Sequence, residues 1–177
     1  TMPGVDLWMM NTGFVGGEQA DVARGEALKV KIRHSSAMLE AIEGARAAME
    51  LYFQHRGKRP VVAVIFTHTH TDHWGGARGV LDDETLAGGR VPIIAPNLFM
   101  EHAVSENIIA GPAMLRRAQY QFGPFLAKGV RGQVDCGLGK SMAAGSVALL
   151  RPTDLIIATG DRRTIDGVEF EFQMAPN

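Results

Sequence analysis

The chain has 177 residues, of which 46% are hydrophobic, and its 18 basic residues almost balance its 19 acidic ones. This length suits a single buried core, so we expect one main globular domain. The balanced charge, without a long run of one sign, argues against a nucleic-acid-binding surface. No apolar stretch approaches the roughly 20 residues that a membrane helix needs. Cys136 is the only cysteine, which excludes a disulfide within these residues.

The N-terminal part carries few structural signals. Residues 1–27 contain five glycines and keep neither helical nor strand periodicity. Residues 28–33 alternate apolar and basic side chains, which predicts a half-buried strand with a basic outer face. Such lysines are typical of an edge strand, where charge discourages pairing with other chains. A basic patch for a substrate is the alternative interpretation.

An amphipathic helix is predicted over residues 42–55. Gly57 follows it as a C-cap, and its apolar stripe is formed by Ile42, Ala45, Met49 and Phe53. The uninterrupted apolar run 61–66 then predicts a buried β-strand that Pro60 introduces. A helix, a short turn and a buried strand form an α/β alternation, so we expect helices packed on a sheet.

The segment after this strand, residues 67–76 with the sequence THTHTDHWGG, is the most informative of the chain. It places three imidazoles and one carboxylate within six residues, on His68, His70, Asp72 and His73. These donors suit divalent metals of borderline softness, with zinc as first choice. In an extended chain His68 and His70 point to the same side and can reach one ion, whereas Asp72 and His73 can reach a second. Two such ions, about 3.5–4 Å apart, would polarise a substrate oxygen and generate hydroxide near neutral pH. The alternative is a polar loop that binds no metal.

Short elements follow the histidine segment. We predict a helix over residues 74–81 and a strand over residues 91–96. The acidic run 82–84 is interpreted as a solvated turn, because three adjacent acids point in different directions and suit a metal poorly.

Two helices are predicted next, separated at Gly111 and Pro112. The first covers residues 98–110 and contains His102, which we interpret as a structural histidine instead of a ligand. The second should direct four apolar side chains inward: Met114, Leu115, Ala118 and Phe122.

Glycine is frequent between residues 123 and 146, and we expect this loop to form part of a substrate cleft. Its GLGKS segment lacks the full spacing of a phosphate-binding loop. Residues 154–159 predict a strand, and residues 164–172 predict a hairpin whose turn is Asp166-Gly167. Glu169 and Glu171 are assigned to its solvated face.

The histidine segment resembles the metal-binding motif of the metallo-β-lactamase superfamily. Further segments resemble the alkyl sulfatases of that superfamily: RPVVAV at 59–64, SENIIAG at 105–111, RRA at 116–118, YQFG at 120–123, GLG at 137–139 and IDGVEF at 165–170. The resemblance covers residues 42–177, a partial catalytic domain, whereas residues 1–41 match poorly. It implies an α/β fold, namely the first half of the αββα sandwich of the superfamily.

The same resemblance implies a function for named residues. The expected reaction is hydrolysis of linear alkyl sulfates, such as dodecyl sulfate, to an alcohol and sulfate by two zinc ions. His68 and His70 would bind one zinc, and Asp72 and His73 the other, with Asp72 also counted as catalytic. An asparagine and an arginine are expected near the sulfate, for which the candidates are Asn107, Arg116 and Tyr120. These three could equally cap a helix, form a surface pair or fill the edge of the core.

The resemblance also places this chain within a longer parent. Its remaining metal ligands are expected beyond residue 177, together with a dimerisation region, so the chain alone is expected to be inactive. A periplasmic or secreted location is favoured by the resemblance only. Another hydrolase of the superfamily, acting on a thioester or a lactam, and an inactive fragment are the two alternatives.

Overall fold

The computed structural model describes residues 14–15, 28–29, 41–136 and 146–175. Strands β1 (Phe14–Val15) and β2 (Leu28–Lys29) pair antiparallel. The strand predicted at residues 28–33 is therefore present at its start, and its remainder lies outside the described residues. The GLGKS segment lies outside them as well.

A three-stranded parallel sheet forms the centre of the fold. Its strands lie in chain order, β3 (Val64–Ile65), β4 (Ile93–Pro96) and β5 (Asp154–Ile156). The predicted strand at 61–66 was too long, because only Val64 and Ile65 are in register with β4. The predicted strands at 91–96 and 154–159 are likewise present but shorter. All three strands end at one edge of the sheet, which is where α/β proteins bind ligands.

Helix α1 (Ala41–Arg56) confirms the predicted amphipathic helix. Gly57 caps it with φ +81°, and its N–H bonds the Phe53 carbonyl at 3.0 Å. Ala45 of the predicted stripe is buried, but Ala48 and Tyr52 are buried more deeply than the predicted Met49 and Phe53. The start of α1 packs on helix α2 (Ala77–Val80), where Gly79 lies against Ile42, Ala45 and Arg46.

Helix α2 is shorter than the predicted helix at 74–81, since residues 74–76 form a turn. The acidic run 82–84 begins a further helix, α3 (Asp83–Gly88), whose N-cap is Asp82. The Asp82 carboxylate accepts the N–H of Thr85 at 2.8 Å. All three acidic side chains are exposed, which confirms the prediction that they are solvated. The prediction of a turn was wrong, because residues 83 and 84 are helical.

The main core lies between the sheet and the helices that follow β3 and β4. Phe66 and Phe99 stack with ring centroids 5.2 Å apart, and the buried cluster contains Phe66, Trp74, Ala77, Leu81, Ile93, Ala95, Phe99 and Ala103. Trp74 and Ala77 therefore fix the segment directly after the histidines against the sheet.

One helical run follows β4. It consists of α4 (Phe99–Val104), a π-helical turn (Ser105–Ile109) and α5 (Gly111–Phe122). The break predicted at Gly111 is present, with Pro112 in the first turn of α5. The inward direction predicted for Leu115 was wrong, because this side chain is 57% exposed. His102 is exposed too and is not a core histidine.

A hairpin closes the described part of the chain. Strands β6 (Arg162–Ile165) and β7 (Val168–Glu171) pair antiparallel around Asp166 and Gly167, both at positive φ, as the sequence predicted. Glu169 and Glu171 are exposed, as predicted. None of the helices in the described ranges is long and apolar enough to cross a membrane.

Candidate metal centre

The histidine segment leaves the carboxyl end of β3 and turns sharply. Residues Thr71–His73 form one 3-10 turn, and the N–H of Gly75 bonds the Thr71 carbonyl at 2.7 Å. This turn brings His73 back beside the earlier imidazoles. Ring centroids are 4.2 Å apart for His68 and His73, and 4.8 Å apart for His68 and His70.

Each imidazole already has a polar contact on one ring nitrogen. Nδ1 of His68 lies 2.9 Å from the Thr67 hydroxyl, and Nε2 of His70 lies 3.3 Å from a carboxylate oxygen of Glu106. Nε2 of His73 lies 3.3 Å from the Asp72 carboxylate. A neutral imidazole that donates through one nitrogen presents a lone pair on the other, so Nε2 of His68 and Nδ1 of His70 are open in the tautomers that donate to Thr67 and Glu106.

Burial lowers the pKa of the His68 imidazole below its ordinary value, and the nearby His73 and His70 lower it further. Asp72 and Glu106 act in the opposite direction with smaller effect. The lowered pKa favours the neutral ring, which is the form that a metal ion binds.

The donor set can be tested against the geometry of zinc. No group of three or more His, Cys, Asp or Glu side chains among the described residues is gathered tightly enough to hold an ion as it stands. Two imidazoles on one tetrahedral zinc, with Zn–N bonds of about 2.0–2.1 Å, place their ring centroids roughly 5 Å apart. The observed separations of 4.2 to 6.4 Å among the three rings bracket that value. The ring spacings are therefore compatible with two of these imidazoles binding one zinc ion.

The opposite side of this loop is anchored to the scaffold. Thr69 is only 4% exposed, and its carbonyl accepts the Trp74 indole N–H at 2.8 Å and the Asn107 amide at 2.9 Å. The Thr71 hydroxyl donates to the Asn107 carbonyl oxygen at 2.5 Å. The Thr69 hydroxyl donates to Glu106 at 2.6 Å. The loop is thus held by hydrogen bonds independently of any metal.

The three residues predicted to bind sulfate have different positions. Asn107 lies beside the loop, but its amide and carbonyl are already used, the amide also donating to the Ala103 carbonyl at 2.9 Å. Arg116 is exposed on α5, and Tyr120, one turn later, is 91% exposed. Sulfate binding by these side chains stays a prediction, and the structure gives Asn107 an additional role in holding the loop.

Sequence reasoning missed Glu106. Its carboxylate contacts both Thr69 and His70, although 36 to 37 residues separate it from them. The acid belongs to the SENIIAG segment, which served only to support the family resemblance. Nothing in the spacing of this segment identifies a partner for Glu106 in the histidine loop.

A histidine-rich turn at the carboxyl end of a parallel strand suits a metal-binding protein, and comparison with known proteins agrees. The chain belongs to the metallo-β-lactamase superfamily, whose family model matches residues 34–165. The superfamily implies metal ions, which accords with the donor set described above. The domain boundary predicted at residue 42 stays a prediction.

Within that superfamily the chain is similar to alkylsulfatases. It is 52% identical over 134 residues to a linear primary-alkylsulfatase of Pseudomonas sp. and 53% identical over 137 residues to an (R)-specific secondary-alkylsulfatase of Pseudomonas sp.. It is also 51% identical to the alkyl/aryl-sulfatase BDS1 of Saccharomyces cerevisiae. These matches cover 76–77% of this chain. The chain spans about a fifth of the length of these relatives, 20–21%.

Solved structures give the same result. The stereoselective inverting sec-alkylsulfatase Pisa1 from Pseudomonas sp. matches with a TM-score of 0.68 and 52% identity, covering 77% of this chain and 22% of that one. The fold predicted from the sequence, a partial metallo-β-lactamase domain, is thereby confirmed.

Proposed function

We propose that the natural protein carrying this chain hydrolyses alkyl sulfate esters at a dinuclear zinc site. The observation that carries the proposal is the identity of 51–53% with three proteins named as primary, secondary and alkyl/aryl sulfatases. Their names share one bond type, the sulfate ester of an alcohol, and differ in the alcohol. Linear alkyl sulfates such as dodecyl sulfate are therefore the substrates to test first.

The proposal assigns His68 and His70 to one zinc, and Asp72 and His73 to the other. The contact of 3.3 Å between the Asp72 carboxylate and the His73 imidazole supports their sharing one ion, whereas the division of the three imidazoles rests on the spacing of the motif, since the His68 ring lies closer to His73 than to His70. The His68 and His70 rings leave open nitrogens on different ring positions, as described above. Asp72, 64% exposed on its side chain, is free to turn toward an ion.

Two bound zinc ions would supply Lewis acidity and lower the pKa of water at the site. The chain's own residues have the task of positioning. Thr69 and Thr71 hold the loop from behind, while the exposed Arg116 guanidinium is suited to two sulfate oxygens at once. Tyr120 could donate a further hydrogen bond.

The test compares substrates and one histidine substitution in the purified natural protein. We expect sulfate release from dodecyl sulfate to exceed turnover of a β-lactam or a glutathione thioester by far, when all three are assayed side by side. His70→Ala should lower bound zinc and sulfate release together, because the spacing assigns it to the first ion. Elemental analysis and sulfate release are the measurements.

The matched control is His102→Ala, which removes an exposed histidine of α4 that is not part of the loop. It should change neither zinc content nor turnover. Full zinc content in His70→Ala would remove the metal assignment. Faster turnover of the thioester or the lactam would favour another hydrolase of the superfamily.

A further inference from the structure

The π-helical turn Ser105–Ile109 contacts the histidine loop through two consecutive side chains. Both carboxylate oxygens of Glu106 are directed at that loop: Oε2 accepts the Thr69 hydroxyl at 2.6 Å, and Oε1 lies 3.3 Å from Nε2 of His70. The next residue, Asn107, bonds Thr69 and Thr71.

The π geometry explains how neighbouring residues can both face the loop. The N–H of Ala110 bonds the carbonyl of Ser105 at 2.9 Å, five residues earlier, as in a π-turn. A wider turn rotates less per residue than an α-turn, so consecutive side chains diverge less. Turns of this kind occur frequently at functional sites.

The carboxylate of Glu106 has little freedom. Its side chain is only 19% exposed, so water competes weakly for its oxygens. The Thr69 hydroxyl fixes one oxygen, and Thr69 is itself buried and bonded through its carbonyl. The remaining oxygen is thereby aimed at the imidazole of His70.

We propose that Glu106 is a positioning residue of the metal centre: it accepts the Nε2–H of His70 and so presents Nδ1 of that ring to a zinc ion. A carboxylate in this position fixes the tautomer and the orientation of a metal-binding imidazole and makes it a better ligand. This inference rests on the metal-binding part of the proposed function and is independent of the substrate.

Two experiments on the natural protein test it. The first is NMR of the metal-free protein with isotope-labelled histidine nitrogens, which reports which nitrogen of His70 carries the proton. We expect the Nε2–H tautomer in the unsubstituted protein and in Glu106→Gln, whose side-chain oxygen can still accept that bond. Glu106→Ala should give a mixture of tautomers.

The second experiment measures zinc affinity by competition with a chromophoric chelator. Glu106→Ala should lose about 10–100-fold in zinc affinity, the usual effect of removing such a partner. Glu106→Gln should lose clearly less, because the hydrogen bond and the ring orientation remain. Glu101→Gln, an exposed glutamate on the preceding helix α4, is the matched control and should behave as the unsubstituted protein.

The outcomes separate the alternatives. An Nδ1–H tautomer of His70 in the unsubstituted protein overturns the proposal, whether or not Glu106→Ala folds. Equal zinc loss in Glu106→Gln and Glu106→Ala overturns it too, because a directly bound carboxylate behaves in that way. Failure of dodecyl sulfate hydrolysis with the expected tautomer and affinities would refute the proposed substrate and leave this inference standing.

Discussion

Replacing Gly79 by alanine should push helix α2 away from helix α1. A Cβ atom at Gly79 would lie 2.1 Å from the Ile42 carbonyl oxygen, 2.7 Å from the Arg46 nitrogen and 2.8 Å from the Ala45 Cβ. Two of these three atoms belong to the backbone of α1, so no side-chain rotation relieves the contact. The helix has to move instead.

The magnitude follows from two opposing effects. Overpacking of a buried contact costs about 1–3 kcal/mol, and we expect the upper end here because backbone atoms are met. Alanine is favoured over glycine in a helix by about 1 kcal/mol. The net loss is therefore about 2 kcal/mol, which corresponds to a fall in melting temperature of about 4–8 °C for a domain of 150–250 residues.

The assay is thermal unfolding of the natural protein followed by circular dichroism. Gly88→Ala is the matched control, because a Cβ at the end of α3 meets nothing closer than an Arg90 side-chain nitrogen at 3.8 Å. This substitution should leave the melting temperature unchanged or raise it. A melting temperature for Gly79→Ala equal to that of the control would refute the close packing of α1 on α2.

Two further substitutions test the loop support and the sheet edge. Trp74→Phe removes the indole N–H bonded to the Thr69 carbonyl and should cost about 1 kcal/mol and weaken zinc binding; unchanged zinc affinity would show that this bond does not position the loop. Hydrogen bonding to Arg163, at 2.8 and 3.1 Å, lowers the pKa of the Asp154 carboxyl below its ordinary value. The stabilising effect of the Asp154–Arg163 pair is therefore fully present above the pKa of Asp154 in the unfolded chain, about 3.9. It is lost as the pH falls through the lower pKa of Asp154 in the folded protein. Asp154→Asn should lower the melting temperature at neutral pH, and by progressively less as the pH falls through the folded pKa of Asp154. Equal melting temperatures of the variant and the unsubstituted protein at neutral pH would contradict this.

Local patterns were sufficient where local forces decide the structure. The 3.6-residue periodicity and Gly57 predicted α1 within a residue at each end, and Asp166-Gly167 predicted the hairpin turn. The strand at residues 61–66 was overestimated because its length depends on β4, which pairs only with Val64 and Ile65. Hydrophobicity alone does not report where a partner strand begins.

The candidate metal ligands could be predicted from the sequence because they lie within six residues, so that one short loop brings them together. The role of Glu106 could not be predicted, because its contact with His70 depends on how α4 packs and on the extra residue in the π-turn. The inward direction of Leu115 failed for a related reason. An apolar side chain at helical spacing is buried only if another element covers it, and the described residues provide none there.

The alternation of threonine and histidine in residues 67–71 has a structural meaning that spacing alone did not reveal. Thr69 and Thr71 bond the π-turn, while the imidazole of His68 lies 4.2 Å from that of His73. His70 is the exception, because its ring also contacts Glu106. The imidazole of His70 therefore contacts the π-turn that also holds Thr69 and Thr71. The contacts of His68 and His73 are with their chain neighbours Thr67 and Asp72, whereas His70 contacts a largely buried carboxylate from another element. We therefore expect His70 to be the most restricted of the three imidazoles before an ion binds.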